Sequence, residues 1–202
     1  MSLQVRPAVV FEDIATLLGP RQPTSSNCFC LSHRIPSALN RSLRGQARSD
    51  KVEELLRSGP LGVIAYDDEV PVGWAAVAPR SETGFARSRT IPRVDDLDVW
   101  SVWCLRVRPG HRGRGLTHRL IAGAVGFARE RGAPALEAYP LDNAGRRIEQ
   151  TMAYVGTRAA FEAAGFRWVA PTGSVLSSHP RVLMRHDLAT RAPGEAQRGA
   201  DH

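Results

Sequence analysis

Apolar and polar positions alternate along the chain in short segments, and each segment's period predicts its element. LQVRPA at 3–8 predicts a first strand, and FEDIATLLGP at 11–20 a helix ended by Gly19 and Pro20. The stretch RQPTSSNCFCLSHR is rich in turn formers and predicts a loop. Helical material in two pieces follows over 36–59. Pro36 suits a first helical position, Ser49 or Asp50 can cap KVEELLRSG, and Gly59-Pro60 is its stop. LGVIAY at 61–66 and VPVGWAAVAP at 70–79 flank the turn DDE and predict a hairpin. A long polar loop over 80–98 leads to VWSVWCLRVRP at 99–109, whose near-continuous apolar character predicts a strand buried on both faces.

Beyond Gly113, Leu116, Leu120, Ile121, Ala124, Phe127 and Ala128 recur at helical spacing. That helix ends near RERGAP, and ALEAYPL at 135–141 predicts another strand. DNAGRRIEQTMAY predicts a loop with room for a short helix. GTRAAFEAAGF predicts a short helix with Gly165 as its left-handed cap, and FRWVAP and RVLMRHDL predict a final strand pair. ATRAPGEAQRGADH, residues 189–202, lacks apolar residues to bury and predicts a disordered tail, which leaves one domain over 1–188. The order β-α-α-β-β-β-α-β-α-β-β predicts an α/β (α+β) fold, with one βαβ unit whose glycines stand at the helix entry.

The 202 residues suffice for one domain with a full core. No run approaches the roughly 18 apolar residues of a membrane span. MSLQVRPAVV lacks the charged and apolar regions of a signal peptide, so a cytoplasmic protein is the expectation. The net charge of +7 admits anionic partners, but the arginines are spread along the chain among acids. That distribution disfavours general nucleic-acid binding. The cysteines, Cys28, Cys30 and Cys104, do not form a disulfide framework. The C-F-C spacing of Cys28 and Cys30, with His33 nearby, is not that of a metal site, so no metal is expected.

One stretch concentrates charge. VRPGHRGRGLTHRL, 107–120, contains Arg108, His111, Arg112, Arg114, His118 and Arg119 around Gly113 and Gly115, at the entry to the amphipathic helix. A helix N-terminus offers unpaired N–H groups and partial positive charge, and glycines let a phosphate approach the main chain. Arginine adds bidentate contacts. The arrangement suits a diphosphate rather than a duplex, which needs cations along an extended face. The Gly-Lys-Ser/Thr ending of a Walker loop is absent, and the order is not that of a Rossmann fingerprint.

The run Arg112-Gly113-Arg114-Gly115-Leu116-Thr117 resembles the R/Q-x-x-G-x-G/A signature of the GCN5-related N-acetyltransferases, the GNAT superfamily. LRVRPGHRGRG matches that family's strand-and-proline entry to the loop, and TRAAFEAAGF looks like its later helix. With the upstream element order, the resemblance covers roughly residues 3–188. It implies a single domain with a mixed, mostly antiparallel sheet flanked by helices, acetyl-CoA as cosubstrate without a metal, and acetyl transfer to a primary amine by direct attack. The acceptor would be a small molecule or a protein lysine. Homodimers are common in the superfamily. The backbone around Arg106, from Leu105 to Val107, would pair with pantetheine. Amides from Gly113 to Thr117 would hold the pyrophosphate, with Arg112 and Arg114 as side-chain partners. The chain departs from the pattern at Thr117, where the family has Gly or Ala, and at Phe161, where many members carry a proton-donating tyrosine. That second departure supports an alternative reading, a non-catalytic acyl-CoA-binding module.

The transfer needs a base for the ammonium, a donor for the oxyanion and an acid for the thiolate. Alternation puts Glu137 and Tyr139 on one face, as base and acid, or Glu137 pairs with an arginine in the sheet. Tyr154, seven positions before Phe161, is a second acid if the last helix reaches back that far. Ser101, Trp103 and Leu105 alternate onto one face of strand 99–109, with Cys104 on the other. Ser101 could then order a water and Trp103 form an aromatic wall. Asp95, Asp96 and Asp98 could attract a cationic amine, or form a solvated loop.

Overall fold

A computed structural model of the chain describes residues 2–22, 24–25, 28–146 and 153–188. Seven strands form one sheet: β1 (Leu3–Pro7), β2 (Gly62–Asp67), β3 (Val70–Pro79), β4 (Trp100–Val107), β5 (Ala135–Ala138), β6 (Arg167–Leu176) and β7 (His179–Asp187). Their spatial order is β1-β2-β3-β4-β5-β7-β6. Every pairing is antiparallel except β4 with β5. The helices are α1 (Phe11–Leu18), α2 (Ser37–Ser42), α3 (Gly45–Arg57), α4 (Leu116–Glu130) and α5 (Arg158–Glu162). The mixed, mostly antiparallel sheet with flanking helices is the predicted fold. The tail, 189–202, lies outside the described residues, as does 147–152 within the predicted loop. Among the described residues no helix is long and apolar enough to cross a membrane.

Strand alternation sorts the core onto two faces. Val63, Ala65, Ala75, Val77 and Val102 pack with α4 and α5, through Leu120, Ile121, Ala124 and Phe161. Ile64, Tyr66, Trp74, Ala76 and Trp103 pack with α1 and α3, through Ile14, Leu18 and Val52. The apolar stripe read from α4 is buried at each of its six positions. α4 also approaches β1 closely, because a Cβ on Gly123 would fall 2.3 Å from Val5 Cγ1.

Several boundaries differ from the sequence expectation; β6, for one, runs on to Leu176. α3 starts at Gly45, before Ser49 and Asp50, and neither residue caps it. β5 stops at Ala138 instead of reaching Leu141. Pro140 has no N–H for a ladder, and beyond it the chain stays with β7, through Leu141 opposite Arg181. Tyr154 sits in a separate 3₁₀ turn (Ala153–Val155). Gly156, at φ +75°, and extended Thr157 divide that turn from α5, so Tyr154 and Phe161 do not share a helix.

The loop between α1 and α2 is tied down by Arg48 of α3, which is 1% exposed. It donates to the carbonyls of Cys28 (2.9 Å) and Asn40 (2.9 Å) and to Asn40 Oδ1 (2.8 Å). Arg48→Met keeps the packing and strands those acceptors. It should cost about 2 kcal/mol and lower Tm by about 4–8 °C in thermal denaturation.

Candidate functional site

The sheet opens where β4 and β5 part. Their parallel ladder covers only Trp100–Val102 against Leu136–Ala138. From Trp103 to Val107, β4 keeps its bonds to β3 while its other edge has no β5 partner. Within β4, beside the gap, lies a bulge. Trp74 opposes Arg106 and Ala76 opposes Trp103, so Ala75 faces both Cys104 and Leu105, and Cys104 takes φ +54°. This bulge breaks the alternation. Trp103 and Cys104 both lie on the α1–α3 side, and Leu105 turns to the α4 side. The expectation that Leu105 shares a face with Ser101 and Trp103 is thereby corrected.

At the far end of β4 a concavity of about 270 Å³ is lined by Val107, Arg112, Gly113, Gly115, Leu116, Thr117 and His118. Gly110, Gly113 and Gly115 all have positive φ, and Gly115, at φ +72°, is the N-cap of α4. The first helical bond runs from Arg119 N–H to the Gly115 carbonyl. The N–H groups of Leu116, Thr117 and His118 therefore have no acceptor within the helix. A guanidinium, glycine-exposed main chain and helix N-terminal amides form a donor set for an anion. Thr117, the departure from the family pattern, lines the same concavity.

The two arginines expected at a pyrophosphate separate. Arg112 lines the concavity. Arg114 Nη1 instead lies 2.8 Å from Asp67 Oδ2 at the end of β2, with His111 Nδ1 at 3.8 Å from the same oxygen. That pair fastens the loop to the sheet and engages Arg114 Nη1 with a carboxylate.

On the other face the expected catalytic residues form a buried chain. Glu137 is 0% exposed. Its Oε2 accepts from Arg80 Nη1 at 2.9 Å and its Oε1 from Arg185 Nη2 at 2.6 Å. Arg185 also holds Asp95, and that pairing keeps the Asp95 carboxyl below its ordinary range. Asp95 is thus committed to Arg185, while Asp96 meets Arg93 at the surface. The Tyr139 hydroxyl donates to Glu137 Oε2 at 3.1 Å and lies 2.9 Å from Ser101 Oγ. A phenol has one proton to give, so Ser101 donates to Tyr139. Burial, and then the Glu137 charge, push the Tyr139 hydroxyl far above its ordinary range. Of the two readings left open for Glu137, the arrangement is the one with arginine in the sheet, with a second guanidinium on the other oxygen.

Tyr154 is 42% exposed, in a 3₁₀ turn packed on β4 beside the gap. Phe161, at the position of the family's tyrosine, is 0% exposed and packs on Phe166. His33 stacks on Phe85 with centroids 4.1 Å apart. Desolvation, then the Arg181 charge, lower the His33 imidazole to about 4, so it is neutral at neutral pH. Arg34 lies over the Trp103 ring at 4.8 Å, and Arg106 Nη1 donates to Cys28 Sγ at 3.0 Å. Cys30 and Cys104 both pack in the α1–α3 cluster, and the neighbouring Cys104 thiol lowers that of Cys30. Among the described residues no group of three or more His, Cys, Asp or Glu side chains is arranged to hold a metal.

Sequence reasoning missed Arg80, Arg185 and Arg181. The first two lie 57 and 48 residues from the carboxylate they hold, with no local signal linking them.

The family model of the acetyltransferase (GNAT) family matches residues 32–147. No curated protein matches. Among solved structures, yncA of Salmonella typhimurium with its cofactor acetyl-CoA is 16% identical, over 96% of this chain and 99% of that one, with a TM-score of 0.55. The aminoglycoside acetyltransferase AAC(6')-Ib with ribostamycin and coenzyme A is 14% identical, over 96% and 100%, at 0.53. A GNAT-family acetyltransferase of Streptococcus pneumoniae is 14% identical, over 93% and 100%, at 0.54. At these identities the likeness is one of fold.

Proposed function

The chain belongs to the GNAT acetyltransferase family, and on that premise we propose that it transfers the acetyl group of acetyl-CoA to a primary amine by direct attack. The observation that carries the reading is the concavity at the start of α4, in line with the parted edge of β4. The amides of Gly113 to Thr117 and the Arg112 guanidinium hold the pyrophosphate. The main chain around Arg106, from Leu105 to Val107, pairs with the pantetheine amides as an added strand would. The thioester then lies at the bulge, and the acceptor reaches it from the face of Trp103 and His33. The coenzyme complexes of yncA and AAC(6')-Ib support this placement.

In the reaction the neutral amine attacks the thioester carbonyl. The N–C bond forms, the nitrogen gives up its remaining surplus proton to water, the C–S bond breaks, and the thiolate of coenzyme A leaves and takes up a proton. Tyr154, exposed beside the gap, is the hydroxyl we assign to that proton. Ser101, Tyr139 and Glu137 form a positioning chain behind Trp103. With each oxygen accepting from a guanidinium, Glu137 is held as a paired carboxylate, and we assign the ammonium proton to water.

Calorimetry with acetyl-CoA tests the reading. The protein should bind it, and Arg112→Ala should weaken binding by about tenfold, the loss of one charge-assisted contact. Absence of binding refutes the proposal. Buried Phe161 favours a second reading, an acyl-CoA-binding module without turnover. Release of free coenzyme A thiol with any amine decides against that one.

A further inference from the structure

The acceptor side of the sheet carries more guanidinium groups than carboxylates, even counting Asp13, which accepts from Tyr66, and Glu82, whose charge reaches Arg34. The buried network there is electrically even, with Arg80 and Arg185 against Glu137 and Asp95. Four other guanidinium groups on the same face end on neutral atoms. Arg34 donates to the carbonyls of Leu61 and Val77, Arg48 to those of Cys28 and Asn40, and Arg106 to Cys28 Sγ. The fourth is Arg181 of β7. Alternation puts it on one face with Leu183, which packs on the α1–α3 side, and with Arg185, which holds Glu137.

Arg181 sits where the gap opens. Its Nε donates to the Tyr139 carbonyl at 2.7 Å, the point at which the chain has just left β5. Burial lowers its pKa, and the hydroxyls of Tyr154 and Tyr139 are near enough to raise it. It is also near enough to His33 to help keep that imidazole neutral. Among the described residues no acceptor meets its two terminal nitrogens. A guanidinium anchored through Nε presents Nη1 and Nη2 as a pair, the geometry that receives both oxygens of a carboxylate.

We propose that the acceptor is a small amine carrying a carboxylate a few bonds away, as an α-amino acid does, and that Arg181 binds that carboxylate. This rests on the acetyl-transfer reading above. The chemistry is consistent at the amine as well: the positive field disfavours the ammonium form and so increases the neutral nucleophile. The same field opposes a polycation such as an aminoglycoside.

The experiment measures free coenzyme A thiol released by the full chain with α-amino acids, each paired with its amide and its decarboxylated amine. The best acceptor should be an acid, with kcat/KM about tenfold or more above its amide. In Arg181→Gln that preference should fall by about tenfold or more, carried by KM, and Arg181→Lys should restore part of it. Equal rates for acid and amide in the unaltered protein overturn the proposal. So does an unchanged preference in Arg181→Gln. Failure to turn over any carboxylated amine, in protein that binds acetyl-CoA by calorimetry, also overturns it while leaving the cofactor assignment standing. Protein that binds no acetyl-CoA overturns both.

Discussion

Gly115→Val should weaken acetyl-CoA binding by about a hundredfold or more, equivalent to about 2.7 kcal/mol. Gly115 caps α4 at φ +72°, ψ 8°. An ordinary L-residue held there pays about 1–2 kcal/mol, and a β-branched side chain pays more because both γ-carbons crowd the backbone. Among the described residues, its chain neighbours aside, nothing lies within 4 Å of a Cβ built on Gly115, so the substitution meets no wall. The cost is conformational, and it is relieved by rotating the cap away from the left-handed region. That rotation turns the free amides of the first helical turn out of the concavity they share with Arg112. A valine that stays in place instead extends its methyls from a residue lining that concavity. Either route removes the anion site and leaves the buried face of α4 intact, so Tm should change by only a few degrees. Gly115→Ala should give an intermediate loss. Unchanged affinity in Gly115→Val, measured by calorimetry, would place the diphosphate elsewhere.

The same residue shows what could be read from sequence. A glycine after an arginine, at the entry of an apolar helix, announces a positive φ, because few other residues adopt one. The helix behind it is equally legible, since Leu116, Leu120, Ile121, Ala124, Phe127 and Ala128 declare its buried face. The bulge is not: Cys104 takes φ +54° with no glycine to signal it, and period-two counting carries the wrong face forward to Leu105. Tyr154 fails as a helical partner of Phe161 for a local reason, the turn at Gly156 that the spacing of two aromatic residues ignores. The ion pairs of Arg114 and Glu137 are illegible for a non-local one. Their partners lie 47 to 57 residues away, and ion pairs formed across strands leave no periodic trace.

Those distant partners set the second large effect. Glu137→Gln should destabilise the protein by about 4 kcal/mol, the cost of leaving buried charge uncompensated, and lower Tm by about 8–16 °C. The substitution preserves shape and one hydrogen-bonding oxygen, but it removes the charge between Arg80 and Arg185, whose side chains are 9% and 5% exposed. Arg185 retains Asp95; Arg80 retains only the carbonyls of Phe85, Ile91 and Pro92. Tyr139 loses a carboxylate acceptor, so its bond to Ser101 weakens with it. A brace and a general base differ in what survives once folding is secured. Assayed well below its midpoint, a protein that has lost a brace keeps the pH profile of kcat, with turnover reduced only as far as Trp103 and Tyr139 shift. Loss of a base flattens the acid limb of that profile and lowers kcat by about 10²–10⁴. A Glu137→Gln protein with an unchanged Tm and a flattened profile would return the carboxylate to the chemistry and leave the two arginines as its tuning partners.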